Sequence, residues 1–341
     1  MQAQAKKKSN NNIFKKIISS DEFSVAVPLL ALCVILLIIS LFRKDALNWF
    51  GWSNISSILT MFPYIGLTSL AAAFPLMVGR VDISTGRLVG FSVMVTATGI
   101  MNWGLNPLLV AVIATLLTAL FGILNGILVV KLNVPDFVAT MGVLYISGGC
   151  RYLLFDGIEI TMIGQENIAG VINFFDDSNR FLSLPMNFWI VLAIFVIAAF
   201  VIKKTLFGRR ILAVGDNDEV AALAGINPVN YRIVSYIICA ALCGVCGVIY
   251  CLSAKVGRPS TGDGWEFRAI AACVVGGTSL AGGKCSPISV FIGCFLVMAV
   301  ENAILFFPDI VPSTMQVAVR GIIMAAAVLW DMARQKKKIK A

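Results

Sequence analysis

Residues able to perform chemistry are few in this chain, and their spacing matches no common catalytic or metal site. The chain has no histidine, so the commonest general base and proton relay is missing. Cys243 and Cys246 form a C-x-x-C pair, but neither a second pair nor a histidine is present to complete a metal site. We therefore expect the nine cysteines to act as small apolar packing residues.

The most distinctive polar segment, residues 209–226, lies between long apolar runs. Asn217 or Asp218 could cap a short helix there, with Glu219 favourably placed in its first turn. Gly225 would end this helix, and three alanines would leave one side slim enough to enter a groove on another protein. The segment is therefore predicted to dock a soluble protein, with a plain amphipathic connector as the alternative. The residues assigned to docking are Arg209, Gly215, Asn217, Glu219, Ala221, Ala222 and Gly225.

The elements that must position this segment are predicted to be membrane helices. Apolar residues make up 59% of the chain and charged residues 13%, about half the charged share of a soluble domain. We predict an all-α polytopic membrane protein of about ten transmembrane helices, each able to cross roughly 30 Å of hydrocarbon. The predicted spans lie at 25–42, 55–79, 88–104, 107–130, 135–155, 185–202, 232–253, 268–283, 286–307 and 313–331.

The distribution of lysine and arginine predicts the orientation of the chain. With the N-terminus inside, most basic residues, Arg87 among them, count as cytoplasmic, and Arg151 and the segment 254–268 count as external. This bias indicates that both termini face the cytoplasm. The basic tails would contact anionic lipid headgroups, which accounts for the net charge of +9 without nucleic acid. The predicted parts are a tail at 1–24, a membrane domain at 25–331 with a cytoplasmic loop at about 203–231, and a tail at 332–341.

Two Gly-rich segments are similar to each other: a first break at 78–87 and a second break at 275–284, aligned so that Gly79 pairs with Gly276. Breaks at membrane depth are tolerated only where protein or a water-filled cavity covers them, and paired breaks point to a transport pathway. Two ordinary turns are the alternative. The span count predicts parallel repeats, although one miscounted span would make them inverted. The glycines assigned to the breaks are Gly79, Gly86, Gly276, Gly277, Gly282 and Gly283.

Two charges, Glu301 and Arg320, fall inside the last two predicted spans. The turn at 307–312 between these spans is short, so the two helices should be antiparallel neighbours that carry both charges at a similar depth. Because a lone charge at that depth is costly, we predict an ion pair near the outer leaflet. The alternatives are that Glu301 faces the pathway or that Arg320 reaches lipid headgroups.

Several ordered motifs resemble those of bacterial ABC-importer permeases for ribose, galactose and related sugars. The first break is similar to the family's G-G-I-D-L-S-x-G, and the second to G-G-T-S-L-x-G-G. Residues 122–126 resemble G-x-x-N-G, residues 134–142 resemble v-P-x-F-i-x-T-l-G, and residues 209–226 resemble a-i-G-x-N-x-x-A-A-x-x-x-G-I. The resemblance covers about residues 25–331.

The chain departs from the family pattern at the first break, where Arg80 replaces the second glycine and Arg87 follows the motif. Branched-chain amino-acid permeases share a similar first break, so the resemblance is more specific for mechanism than for substrate. The chain has no G-x-x-x-x-G-K-[ST] motif, so we expect no cofactor on it and assign ATP and Mg to a partner ATPase.

The resemblance implies a permease in the bacterial inner membrane, paired with an identical or different permease chain. Cytoplasmic ATP-binding subunits would drive it, and an extracytoplasmic solute-binding protein would deliver a monosaccharide such as ribose or galactose. Residues 156–184 and 254–268, which mix charges with aromatic residues, are the candidate docking patches outside, although solvated loops look similar.

A sugar path would offer scattered hydrogen bonds rather than one tight site, and polar residues of the spans are candidates to line it. Helix-packing hydrogen bonds are the alternative for each of them. The candidates are Asp82, Ser84, Asn125, Thr140, Ser147, Thr278 and Asn302.

Other functions remain open from the sequence. An ion-coupled secondary transporter would need intramembrane acids that cycle protons, and Asp82 and Glu301 are the plausible ones. An ABC permease for an autoinducer-type sugar or a branched-chain amino acid is a further alternative. A lipid-modifying enzyme would need a histidine or a paired-carboxylate cluster, which the sequence lacks.

Overall fold

The computed structural model describes residues 49–153, 155–164 and 168–304, together with isolated positions within 30–38 and 315–322. The predicted tails at 1–24 and 332–341 lie outside the described residues, as do most of the spans at 25–42 and 313–331. Arg320 also lies outside them, so the predicted Glu301–Arg320 pair stays a prediction.

Within these residues the fold is almost entirely helical. The helices are α1 (Trp52–Met77), α2 (Thr85–Met101), α3 (Pro107–Gly126, continued by a π-helical turn at Ile127–Lys131), α4 (Asp136–Leu153), α5 (Ala169–Phe175), α6 (Met186–Lys204), α7 (Leu206–Asp216), α8 (Asp218–Leu223), α9 (Pro228–Ala254), α10 (Trp265–Val275) and α11 (Pro287–Ile304). The strands, each of two residues, are β1 (Ile160–Thr161), β2 (Arg180–Phe181), β3 (Leu184–Pro185) and β4 (Val256–Gly257). β1 pairs with β4, and β2 pairs with β3, both antiparallel.

In the part of the chain that the structure describes, five helices are long and apolar enough to cross a membrane: α1, α3 with its π-helical turn, α6, α9 and α11. α2 is apolar but shorter, with 17 residues. The all-α membrane architecture is therefore confirmed. The predicted span at 268–283 is wrong as one continuous helix, because α10 ends at Val275 and residues 276–286 are non-helical.

The core forms around α9, which packs against α1, α2 and α3. Glycines permit the closest approach: a Cβ on Gly122 would lie 2.5 Å from the Tyr236 carbonyl oxygen of α9. Cysteines also fill this core as predicted, and Cys246 Sγ donates to the Tyr64 carbonyl oxygen at 3.4 Å. The buried cysteines are Cys239, Cys243, Cys246, Cys251, Cys273 and Cys294.

The two breaks begin with the same hydrogen-bonded turn, in which a glycine at positive φ ends the helix. After α1, Gly79 has φ +67° and Arg80 N donates to the Pro75 carbonyl oxygen at 3.0 Å. After α10, Gly277 has φ +78° and Thr278 N donates to the Cys273 carbonyl oxygen at 2.9 Å. The equivalent glycines are therefore Gly79 and Gly277. The sequence alignment, which paired Gly79 with Gly276, is wrong by one position because it matched letters rather than backbone turns.

The helices that lead into the breaks, α1 and α10, run side by side in the same direction. The rings of Tyr64 and Trp265 lie 6.4 Å apart, and further along Cys273 Sγ donates to the Ser69 carbonyl oxygen at 3.0 Å. The order of these contacts makes the two helix–break units parallel, as the span count predicted.

One assignment in the charge count is wrong. Arg87 Nε lies 3.2 Å from Asp263 Oδ1, although Arg87 counted as cytoplasmic and Asp263 as external. An ion pair cannot join opposite sides of a membrane. The first break explains the error. A non-helical stretch precedes α2, which begins at Thr85, and this stretch runs along α4 so that Arg87 lies beside Gly148.

Candidate functional site

Three of the predicted path residues lie together in and beside the first break. Ser84 donates to Asp82 Oδ1 from its amide at 2.8 Å and from its hydroxyl at 2.6 Å. Asn125 of α3 donates to Asp82 Oδ2 at 3.3 Å and to Ser84 Oγ at 3.1 Å. All three side chains are buried, so this cluster connects the break to α3.

Helix α4 supports the same stretch through its first turns. Asp136 Oδ2 accepts a hydrogen bond from Val81 N at 2.8 Å, and Thr140 Oγ1 accepts one from Ile83 N at 3.3 Å. A non-helical backbone in a membrane needs partners for its amides, and α4 provides two of them. Sequence reasoning missed Asp136, although a carboxylate just after Val134 and Pro135 in the α4 motif could have indicated it.

The other predicted path residues do not join this cluster. Thr278 is buried in the second break, where its hydroxyl donates to Cys285 Sγ at 3.6 Å. Asn302 of α11 exchanges two side-chain hydrogen bonds of 2.9 Å with Asn54 of α1. Ser147 Oγ donates to the Leu144 carbonyl oxygen within its own helix at 3.1 Å. The path assignment of these residues stays a prediction. Thr278 and Ser147 are buried and Asn302 is half-buried, which suits the helix-packing alternative.

The predicted short helix of the docking segment is α8. Asn217 caps it by accepting a hydrogen bond from Val220 N at 3.0 Å, and Asp218 and Glu219 stand in its first turn. Gly225 follows the helix with φ +78°, so the predicted cap and stop are confirmed. Asp218 Oδ2 also pairs with Arg232 Nη2 of α9 at 2.8 Å, which fixes α8 to the membrane helices.

The predicted alanine face is wrong in one respect. Ala221 is buried within the chain, whereas Ala222 points to solvent, because adjacent residues of a helix face different directions. The exposed apolar residues of α8 are instead Val220, 59% exposed, and Leu223, 89% exposed. These stand three residues apart on one side of the helix, a spacing that could have been read from the sequence.

The two predicted external patches form one surface. Strands β1 and β4 join them, with Ile160 opposite Gly257. Arg258 Nε lies 2.8 Å from Glu159 Oε2, and Lys255 pairs with Asp176. The hydrogen bond from Lys255 lowers the pKa of Asp176 to about 2.

A groove of about 520 Å³ lies at the first turns of α1. Arg180 enters it and donates to Ser56 Oγ at 2.7 Å. Sequence reasoning missed this groove, although hydroxyl residues at helical spacing in the first half of the span at 55–79 indicate it. Its lining, among the residues described, comprises Trp52, Ser53, Ser56, Ser57, Thr60, Met61 and Arg180.

Glu301, half of the predicted ion pair, lies close to a second arginine. Its Oε1 is 3.2 Å from Nε of Arg268 on α10. Glu301 therefore contacts a cation that sequence reasoning had placed in an external patch.

Comparison with known proteins gives matches over most of the chain. The family model described as branched-chain amino acid transport system / permease component matches residues 54–328. The L-arabinose ABC transporter permease protein AraH of Azospirillum brasilense is 30% identical, over 84% of this chain and 81% of that protein. The ribose import permease protein RbsC of Escherichia coli K12 is 30% identical, over 90% of this chain and 93% of that protein.

The xylose transport system permease protein XylH of Haemophilus influenzae is 28% identical, over 94% of this chain and 99% of that protein. No solved structure matches the chain. The resemblance drawn from the motifs is confirmed. The chain belongs to the permease-component family of ABC transport systems, and it is a membrane transport subunit rather than an enzyme.

Proposed function

We propose that this chain is the permease subunit of an ATP-binding cassette importer for a monosaccharide. The observation that carries the proposal is the near full-length similarity to permeases named for arabinose, ribose and xylose. The family description names branched-chain amino acids instead, and these form the second candidate substrate class.

Two protein partners follow from the family, an ATPase and a solute-binding protein. We assign the ATPase to α8, whose exposed Val220 and Leu223 suit insertion into a groove. We assign the solute-binding protein to the surface joined by β1 and β4, where Glu159 and Arg258 are exposed. This places α8 inside and the strands outside, with both chain ends cytoplasmic.

The membrane part is proposed to be complete only as a pair of permease chains, identical or different, each with about ten transmembrane helices. The groove at the start of α1 is proposed as the outer entrance of the path. Hydroxyls such as Ser53 and Thr60 can accept hydrogen bonds from a sugar, and Trp52 offers an apolar ring face.

Uptake by reconstituted vesicles tests the proposal. The chain is placed in lipid vesicles with its ATPase and solute-binding protein, and ATP drives uptake of labelled ribose, arabinose, xylose or leucine. ATP-dependent uptake of a monosaccharide supports the proposal. Uptake of leucine alone would favour the second substrate class, and sugar uptake without ATP would indicate an ion-coupled transporter.

A further inference from the structure

Three stretches of backbone meet at one place, which we call the glycine junction: the end of α1 at 77–79, the end of α7 at Gly215, and the second break at 281–283. Gly283 N donates to the Met77 carbonyl oxygen at 3.0 Å. A Cβ on Gly215 would overlap that same carbonyl oxygen and lie 2.5 Å from Gly283 N. The end of α7 therefore touches both of the other stretches.

The other two stretches also touch each other directly. A Cβ on Gly79 would lie 2.8 Å from the Ala281 carbonyl oxygen. A Cβ on Gly282 would lie 2.6 Å from the Gly215 carbonyl oxygen and 2.7 Å from Gly79 N. Each stretch thus contacts the other two through backbone atoms.

The junction is continuous with the exposed docking helix. Gly215 is followed by Asp216 and then by Asn217, which caps α8. Ala221 of α8 is buried against the same chain, and Asp218 is paired with Arg232 of α9. Only Asp216 and Asn217 separate Gly215 from α8, so a displacement of α8 would reach Gly215 through two residues.

We infer that Gly215 is the positioning residue through which ATPase movement at α8 reaches both breaks, an inference that rests on the proposed function. Contacts between long side chains can absorb a displacement by changing rotamer, whereas a contact between backbones cannot. Energetic coupling between distant sites passes through packed contacts of this kind. Gly215, which the sequence analysis assigned to docking, packs instead against Met77 and Gly283 within the chain. Leu223 therefore binds the ATPase, whereas Gly215 transmits the movement.

Gly215→Ala tests the inference, with Gly149→Ala as its matched control. Both glycines are helical, but a Cβ on Gly149 meets nothing within 4 Å. The complexes of each variant are compared for folded amount, for ATPase association and for solute imported per ATP hydrolysed. Because the added Cβ overlaps backbone atoms, the variants are compared at equal amounts of folded complex. The Gly215→Ala complex should keep its ATPase, while import per ATP falls by about tenfold relative to the control.

Two results with Gly215→Ala would overturn the inference. Import per ATP within about twofold of the control would show that the contact transmits nothing. Loss of ATPase association would make Gly215 part of the docking surface instead.

If the Gly215→Ala chain does not accumulate, a second pair of variants tests the inference. Gly283→Ala adds a Cβ 2.9 Å from Asp216 Cα, whereas Gly104→Ala adds one in open space. Both glycines have positive φ, +74° and +63°, so the backbone strain of the two substitutions is similar. Gly283→Ala should lower import per ATP as above. If neither junction variant accumulates while both controls do, the junction is needed for folding and the inference is overturned.

A different result would show that the proposed function, rather than this inference, is wrong. If wild-type vesicles import no monosaccharide although the ATPase binds, the substrate assignment fails. The role of the glycine junction is then tested by comparing the rate of ATP hydrolysis by the complex with the rate of the free ATPase. Gly215→Ala should abolish the change in rate that the permease causes, and a rate equal to that of the Gly149→Ala complex would overturn the inference.

Discussion

Asp136, in the first turn of α4, accepts a hydrogen bond from the amide of Val81 at 2.8 Å. This bond joins two segments that lie 55 residues apart in the chain and holds the non-helical part of the first break against α4. It also gives one backbone amide of the break an acceptor within the chain.

Asp136→Ala should therefore destabilise the protein by about 1–3 kcal/mol, because it leaves the Val81 amide without an acceptor. Asp136→Asn keeps an acceptor oxygen and should cost much less. Thermal unfolding of both variants in detergent measures the difference. Equal stability of Asp136→Ala and Asp136→Asn would mean that the bond does not support the break.

Neighbouring alanines of α8 should respond differently to the same charge. Ala221→Glu buries a carboxylate and should reduce folded yield, at a cost of more than about 2 kcal/mol. Ala222→Glu leaves the carboxylate in solvent, so its folded yield should stay normal while ATPase association weakens. Size-exclusion profiles and co-purification measure the two effects. A normal yield for Ala221→Glu would contradict the observed burial.

Thr60→Val removes a hydroxyl from the groove at the start of α1 without changing the size of the side chain. Loss of one hydrogen bond to a passing sugar costs about 0.5–1.5 kcal/mol, so uptake at subsaturating sugar should fall by about two- to tenfold. Thr115→Val is the matched control, since both threonines donate to the carbonyl oxygen four residues earlier at 2.8 Å. If the two variants transport equally well, the groove is not on the path.

The Lys255–Asp176 pair predicts a dependence of stability on pH. The pKa of Asp176 in the folded protein is about 2, below the ordinary value of about 3.9. A lowered pKa contributes stability above about pH 4 and loses it as pH falls toward about 2. The difference in melting temperature between wild type and Lys255→Gln should be constant from about pH 8 to 5 and should shrink below about pH 4. A difference as large at pH ~3 as at pH ~7 would count against the pair.

Much of the docking segment could be read from the sequence, because caps and helix stops depend on neighbours in the chain. Asn217 and Gly225 are examples. The direction in which Ala221 faces could not, because it depends on α8 packing against distant helices. The alignment of the two breaks was wrong by one residue for a related reason. Gly79 and Gly277 occupy the same position in their backbone turns, although the residue types around them do not align.

Long-range contacts were the least accessible to sequence reasoning. The pairing of β1 with β4 merges two loops that were treated as alternatives. The span count placed Arg87 and Asp263 on opposite sides of the membrane, because hydropathy cannot show that the non-helical stretch before α2 brings Arg87 beside Asp263. The Gly-rich motifs indicated where backbones come close, but not that the segment ending in Gly215 meets both breaks.

The most direct test of the account is whether an ATPase binds this chain through α8. Leu223→Ser removes an apolar side chain that is 89% exposed, and Leu108→Ser removes one that is 73% exposed at the start of α3. Co-purification at matched expression should show ATPase on wild type and on Leu108→Ser, with affinity for Leu223→Ser reduced by about tenfold. Equal ATPase binding by all three chains, or none by wild type, would contradict the account.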